Sequence, residues 1–330
     1  MDIGKIGILG LGSYLPQRVM TNRDWEDLLG IPGLAARLTE RTGIRERRIA
    51  APEESTVDLA VAAAEAALRD AGVAAAELAE IIVATDTPEV FAPDTSAYVQ
   101  HRLGAGPVLA YELKGSGCAG FLQGLELARS RVRDGHAPVL LIGVELISKV
   151  IDQSDPRIAP LFGDGAAAAV IGPAERLRIL EIFNATDGRY ADALSLEVGG
   201  TRKPVTPERA ARGEHKKVVL QGEAVFRNAI RRMTEAGRLI LERASLTPEE
   251  IALLITGQAN VHIVRTVAEN LGIPLERAAI NLDRYGDTGS AALPLALEEA
   301  LHEGRIAEGD YVLLTAFGAG FHWGAALLRV

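Results

Sequence analysis

Thr247-Pro248-Glu249-Glu250-Ile251-Ala252-Leu253-Leu254-Ile255-Thr256 decides the fold, because the chain has already run through this pattern once. Ala75-Ala76-Glu77-Leu78-Ala79-Glu80-Ile81-Ile82-Val83-Ala84-Thr85 has the same design: a polar connection, then an apolar run that stops at a threonine. Each copy follows an amphipathic helix. Before the first lies Thr56 to Ala71, where Val57, Leu59, Ala60, Ala63, Ala64, Ala67 and Leu68 line up and Gly72 ends the helix. Before the second lies Gly222 to Ala244, with Val225, Phe226, Ile230, Met233, Leu239 and Leu241. Further on, the helical stretch Val261 to Leu271 echoes Ser96 to Leu103, and the strand Asp310 to Phe317 echoes Pro138 to Val144. Strands that are apolar throughout and alternate with helices need cover on both faces. A repeat of this size sets the architecture. The prediction is an α/β protein of two duplicated halves, residues 1–174 and 175–330, meeting near Pro173 to Arg178 with no flexible linker.

The remaining stretches fit that frame. Ile6 to Gly12 reads as a strand ending in a Gly-rich turn. It is no dinucleotide fingerprint, because Leu15 stands where the third glycine is needed. Phe162-Gly163-Asp164-Gly165 turns into a buried strand, Ala166 to Ile171, and Ile179 to Ala185 is another strand. Asp187 to Lys217 is polar and irregular and reads as a surface excursion. Glu40 to Arg48 holds a basic cluster, either a solvated face or a site for a phosphate-bearing substrate.

One cysteine occurs in 330 residues. Cys118 sits in Lys114-Gly115-Ser116-Gly117-Cys118-Ala119-Gly120-Phe121, between Val108 to Leu113, which reads as a buried strand, and a helix over Phe121 to Val132. Free backbone N–H groups and the positive end of a helix favour an anion at such a turn. A thiolate is one, so the local reading is a nucleophile with a lowered pKa, set against a plain buried cysteine.

Composition excludes several classes. At 48% hydrophobic and 24% charged, the chain can bury a large core. A net charge of −9 gives no general affinity for nucleic acid or an anionic membrane. A lone cysteine rules out a disulfide framework and a cysteine-based zinc site, and no metal is expected. Met1-Asp2-Ile3-Gly4-Lys5 lacks the pattern of a secretory leader and no apolar run reaches membrane-spanning length, so the expected place is the cytoplasm.

The ordered set Arg41-Thr42-Gly43-Ile44, Cys118-Ala119-Gly120-Phe121, Phe162-Gly163-Asp164-Gly165-Ala166, Gln258-Ala259-Asn260, Asp283-Arg284-Tyr285-Gly286-Asp287-Thr288 and Phe317-Gly318-Ala319-Gly320-Phe321-His322-Trp323-Gly324 resembles the β-ketoacyl-acyl-carrier-protein synthase III family. The resemblance covers nearly the whole chain. It implies a thiolase-like five-layered αβαβα fold, a homodimer, and an acyl thioester on Cys118 supplied by acyl-coenzyme A or an acyl carrier protein. The coenzyme or phosphopantetheine would act as carrier, with no permanently bound cofactor. It further implies an oxyanion hole at the N–H groups of Cys118 and Ala319, with Phe91, Phe162 and Phe317 at the substrate pocket. Phe91 matches the family position that reaches the partner's acyl pocket. Arg41, Arg157 and Arg227 fit carrier-binding basic positions, Asn260 a pantetheine contact, and His262 a carrier-phosphate contact. Arg37 stands where an adenine-stacking Trp is usual. Glu269 and Asn270 replace two lysines of the carrier-protein landing patch, which Arg265 offsets in part.

The departures carry the functional argument. The family's Cys-His-Asn triad becomes Cys118, Gly257 and Asp287 here. Decarboxylating a malonyl thioester makes an enolate, and two neutral donors normally hold its oxygen. Losing one such donor costs about 2.7–4 kcal/mol. Gly257 donates nothing from a side chain, and an ionised Asp287 repels the enolate. Asp287 does resemble family members that acylate a hydroxyl, though those keep the His. His322, where the family usually has Thr, is a candidate substitute. The expectation is acyl transfer from Cys118 to a small-molecule acceptor in secondary metabolism, with Asp287 as base. The alternatives are C–C condensation of the synthase III type, or a degenerate partner subunit of an active homologue.

Overall fold

The computed structural model describes residues 5–330, so Met1–Gly4, part of the segment read for a leader, lies outside the described residues. Strand β1 (Ile6–Tyr14) leads to a small hairpin, β2 (Arg18–Thr21) with β3 (Glu46–Ile49), which frames α1 (Asn22–Leu29) and α2 (Leu34–Thr42). Next come α3 (Thr56–Ala71), β4 (Glu80–Ala84), α4 (Thr95–Leu103), β5 (Leu109–Leu113) and α5 (Gly120–Arg133). The strand β6 (Val139–Glu145), the short α6 (Ile147–Val150) and β7 (Gly165–Pro173) complete the first half.

The second half opens with β8 (Arg178–Thr186), β9 (Leu194–Leu196), α7 (Pro207–Ala211) and β10 (Val218–Leu220). It continues with α8 (Gly222–Ala244), β11 (Ile251–Thr256), α9 (Val261–Leu271), α10 (Leu282–Tyr285), α11 (Ala292–His302), β12 (Tyr311–Gly318) and β13 (His322–Arg329).

The main sheet has nine strands in the order β11-β12-β13-β8-β1-β7-β6-β4-β5. Outward from β1, the first half runs antiparallel β7, antiparallel β6, parallel β4 and parallel β5. Outward from β8, the second half runs antiparallel β13, antiparallel β12 and parallel β11. Its counterpart of β5 shrinks to one bridge, Leu254 with Ala278. The two halves of the sheet are joined through Gly7 paired with Arg178.

Three core clusters define five layers. Helix α3 covers the outer face of the first half, with Leu59, Ala63 and Ala67 against Val83, Leu140 and Val170. Helices α8 and α9 cover the second, with Met233, Ile240 and Val264 against Leu313 and Leu327. Between them, Phe121 and Leu125 of α5 and Leu293 and Leu297 of α11 share one core with Ile82 and Leu141 from the first half and Ile255 and Leu314 from the second. Helix ends follow sequence chemistry. Ser55 and Asp58 form a reciprocal capping box on α3, and Gly72 closes it in the left-handed conformation.

The structure corrects four local expectations. Strand β1 does not turn at its glycines; it continues to Tyr14. Helix α3 presses so closely on it that a Cβ at Gly10 or Gly12 would lie 2.3 Å from Ala71 N or 2.2 Å from Ala67 N. Strand β5 is not buried: it is the sheet edge, and Leu109 is 55% exposed. Asp187 to Lys217 is not wholly irregular, because β9 pairs with β10 immediately after it. Of the basic cluster, Arg47 is fully buried and is no phosphate ligand. Its guanidinium donates to Met20 O at 2.9 Å, Asn22 Oδ1 at 2.7 Å and Pro160 O at 2.5 Å, and burial pulls its pKa down to about 10.

Candidate active site

Strands β4, β5 and β6 are parallel, so their carboxyl ends open on one side, where open α/β sheets place ligands. Asp86 follows β4, the Gly115–Cys118 turn follows β5, and Glu145 ends β6. From the other half Gly257 follows β11, Gly318-Ala319 ends β12, and Asp287 follows α10. All of these residues except Gly115 and Ser116 line one cavity of about 960 Å³.

Cys118 sits in a 3₁₀ turn, Gly117–Ala119, directly before α5. Its thiol donates to Asp287 Oδ1 at 3.3 Å. Burial, then the Asp287 charge and hydrogen bond, then Glu145 and Asp86, push the thiol well above its ordinary value. The lowered thiol pKa expected from the helix end is therefore corrected. A helix terminus is worth about 0.3–1 kcal/mol, and desolvation beside three carboxylates outweighs it. Cys118 rests as a thiol hydrogen-bonded to a proton acceptor. Alkylation by iodoacetamide is accordingly expected to be slow at pH 7 and to rise only above the usual thiol range, against a cysteine peptide as reference; equal rates at pH 7 contradict this.

Asp287 is held by its backbone. Its N–H donates to Leu161 O at 2.9 Å and its carbonyl accepts from Gly163 N–H at 3.0 Å. Oδ1 also accepts the Gly289 N–H at 2.9 Å. Burial raises the pKa of Asp287, and Oδ2 has no hydrogen-bond partner among the described residues.

Asp86 and Glu145 were not singled out by sequence reasoning. The Asp86 carboxylate accepts N–H bonds from Gly115 and Gly117, the latter at 3.0 Å, and so holds the nucleophile turn from one side. Glu145 accepts the Asp86 N–H at 3.0 and 3.1 Å, the Thr87 hydroxyl at 2.9 Å and the Ser290 hydroxyl at 3.1 Å. It thereby ties the Asp86 loop to the segment after Asp287. Burial raises both carboxyls, and the Asp86 charge adds to the rise at Glu145. The available signal was their place at or just past the carboxyl ends of neighbouring parallel strands.

Gly257 lies beside the nucleophile. A Cβ there would stand 3.7 Å from Cys118 Cβ and 3.8 Å from Ala316 Cα, in ordinary contact. Gly318 brings Ala319 close to Cys118, since a Cβ at 318 would lie 2.0 Å from Ser116 O and 3.1 Å from Cys118 N. His322 is not brought to the cavity. Its Nδ1 is hydrogen-bonded with Thr186 Oγ1 at 2.7 Å and Gln123 Nε2 at 3.1 Å, and Gln123 Oε1 accepts the Ser116 hydroxyl at 2.6 Å. Its contact with the nucleophile turn is thus indirect.

The outer cavity carries Arg37, Arg41 and Arg157, all exposed. Arg157 is paired with Asp155 at 2.9 Å. Arg227 does not line the cavity; Phe226 beside it does. Asn260 lines it, caps α9 by accepting the His262 N–H at 2.8 Å, and donates to Arg41 O at 3.0 Å. His262 points away, its Nε2 against Glu40 O at 2.9 Å. Phe162 and Phe317 line the cavity. Phe91 does not, and is 83% exposed near Lys114. No cluster of His, Cys, Asp and Glu among the described residues could hold a metal ion, and none of their helices is long and apolar enough to cross a membrane.

Comparison with known proteins agrees with the resemblance read from the motifs. Residues 114–188 match the family model for 3-oxoacyl-[acyl-carrier-protein] synthase III, and residues 241–330 match that of its C-terminal part. A β-ketoacyl-[acyl-carrier-protein] synthase III of Symbiobacterium thermophilum is 43% identical over 100% of this chain and 99% of that protein. A 3-oxopimeloyl-[acyl-carrier-protein] synthase of Rhodothermus marinus is 41% identical, over 98% of this chain and 94% of that one. The solved synthase III of Thermus thermophilus superposes with a TM-score of 0.89 at 42% identity, covering 98% of this chain and 99% of that one. The fold is therefore thiolase-like, and the chain belongs to the 3-oxoacyl-[acyl-carrier-protein] synthase III family of acyltransferases.

Proposed function

We propose that the protein takes an acyl group from acyl-coenzyme A or an acyl carrier protein onto Cys118 and passes it to an acceptor nucleophile outside chain elongation, as in secondary metabolism. The observation that carries this is the Cys118–Asp287 hydrogen bond with glycine at position 257. The carrier approaches past Arg41 and Arg157, and the acyl chain has apolar wall from Leu161, Leu194, Leu220 and Met233. As the Cys118 sulfur attacks the thioester carbonyl, its proton passes to Asp287. The Cys118 and Ala319 N–H groups stabilise the oxyanion. The carrier sulfur leaves and takes the proton from Asp287. The base work that a histidine usually does falls to this carboxylate.

A second reading, C–C condensation with a malonyl thioester, is supported by the names of the relatives. A thiol kept together with its base supports an enzyme over a degenerate partner subunit. The open β5 edge and the exposed Phe91 support a homodimer of the two-half chain (1–174 and 175–330).

Incubation with acyl-coenzyme A thioesters of graded chain length, followed by intact mass measurement, tests the first step. The expected product carries one acyl group, mapped to the Cys118 peptide. Absence of any adduct across the series overturns the reading.

A further inference from the structure

We propose that the acceptor is a primary amine that enters as its ammonium ion, so that the product is an amide; this rests on the acyl-enzyme reading above. Charge in the cavity is segregated. Its cations, Arg37, Arg41 and Arg157, are exposed at the outer part. Around Cys118 the charged lining residues are Asp86, Glu145 and Asp287, with no Lys, Arg or His among them. Two nearby basic groups act on Asp86 from outside the cavity lining: Lys114, exposed beside Phe91, and His322, bound to Thr186 and Gln123.

The second, independent observation is Asp287 Oδ2. The residue is only 8% exposed, it lines the cavity, and this oxygen has no partner among the described residues. It is an acceptor open to the cavity beside the acyl sulfur. Asp86 keeps part of its surface open to the cavity and accepts only backbone N–H bonds. A malonyl carboxylate brought here meets like charge. An alcohol can donate one hydrogen bond to Asp287 Oδ2 but gains no charge attraction. An ammonium ion is drawn in, and the glycine at 257 leaves room for it beside the sulfur.

The protons balance with two carboxylates. The ammonium gives one proton to Asp86, which releases it to solvent. The freed lone pair forms the C–N bond at the thioester carbonyl, and the second N–H proton passes to Asp287. As the C–S bond breaks, the Cys118 sulfur takes that proton and the thiol is restored. Burial raises the carboxyls of Asp86, Glu145 and Asp287, which makes each a stronger proton acceptor than a free carboxylate and suits it to this relay.

The test uses the intact protein loaded with an acyl group and three acceptors: n-butylamine, n-butanol and malonyl-coenzyme A. Discharge is followed by intact mass, and each rate is divided by that of a free acyl N-acetylcysteamine thioester in the same buffer. The normalised amine rate is expected to exceed the alcohol and malonyl rates at least tenfold. Butyltrimethylammonium, which has the charge but no proton to give, is expected to inhibit the amine reaction competitively, about tenfold less well in Asp86→Asn. A loaded enzyme that shows no amine excess, or no inhibition by the quaternary ion, overturns the amine inference and leaves the acyl-enzyme standing. Failure to load overturns both.

Discussion

Gly257→His combined with Asp287→Asn is expected to raise decarboxylation of a malonyl thioester at the acylated Cys118 by about 10²–10³-fold or more over the unmodified protein. The present pair gives the enolate oxygen no neutral side-chain donor and one acidic neighbour. Each donor to a developing oxyanion is worth on the order of 10²–10³ in rate, and the double change supplies two while removing one charge. The steric condition is met at position 257, where a Cβ would find only ordinary contacts, the nearest at 3.7 Å. The introduced imidazole also replaces the base that Asp287 supplied to the thiol. Release of CO₂ from malonyl-coenzyme A measures the effect. Each single change is expected to achieve less, because each leaves one donor missing. An unchanged rate in the double variant means that the barrier lies with Asp86 and Glu145, not with the two replaced positions.

Asp287→Asn alone is expected to slow acylation of Cys118 by roughly 10²–10⁴-fold at pH 7, the usual weight of a positioned general base. Two effects oppose each other. The amide cannot accept the thiol proton, but removing the charge also lowers the thiol pKa. Burial is the larger cause of the high thiol pKa and persists in the variant, so little thiolate forms at neutrality and loss of the base dominates. The variant should therefore recover as pH rises and the thiol ionises unaided. Rapid-quench acylation measured from pH 6 to 10 separates the two: a parallel drop at every pH would show that Asp287 does not act as the base.

How far the sequence predicted this site depends on how local each signal is. Helices α3, α8 and α9 were bounded from sequence alone because apolar periodicity acts within a few residues, joined in α3 and α9 by a capping side chain and a terminal glycine. The repeated helix–strand pattern was legible for the same reason, but not the order its strands take in the sheet. Pairing between distant segments left no local trace. The apolar run Leu109–Leu113 looks buried until its position at the end of the sheet is known. Leu194–Leu196 and Val218–Leu220 are three-residue strands far apart in sequence. At the site, Cys118, Gly257 and Asp287 were legible as motif positions. Asp86 and Glu145 were not, since an acidic residue after a strand is ordinary, and only the fold shows that two of them flank the thiol. His322 misled for the converse reason: its motif is near the nucleophile turn, while its ring is bound to Thr186 and Gln123.

The unequal ends of the main sheet bear on how copies of the chain can add to one another. At one end β5 offers an open, partly exposed strand. At the other, β11 is almost wholly buried and already touched by Ala278. A molecule with two sticky edges polymerises head to tail, as fibres do. A molecule with one can join only its own kind at that same edge, and growth then stops because no free edge is left. Stunting the last strand of the second half thus closes one of the two ends from which a fibre could grow, leaving the β5 edge as the open end of the main sheet among the described residues.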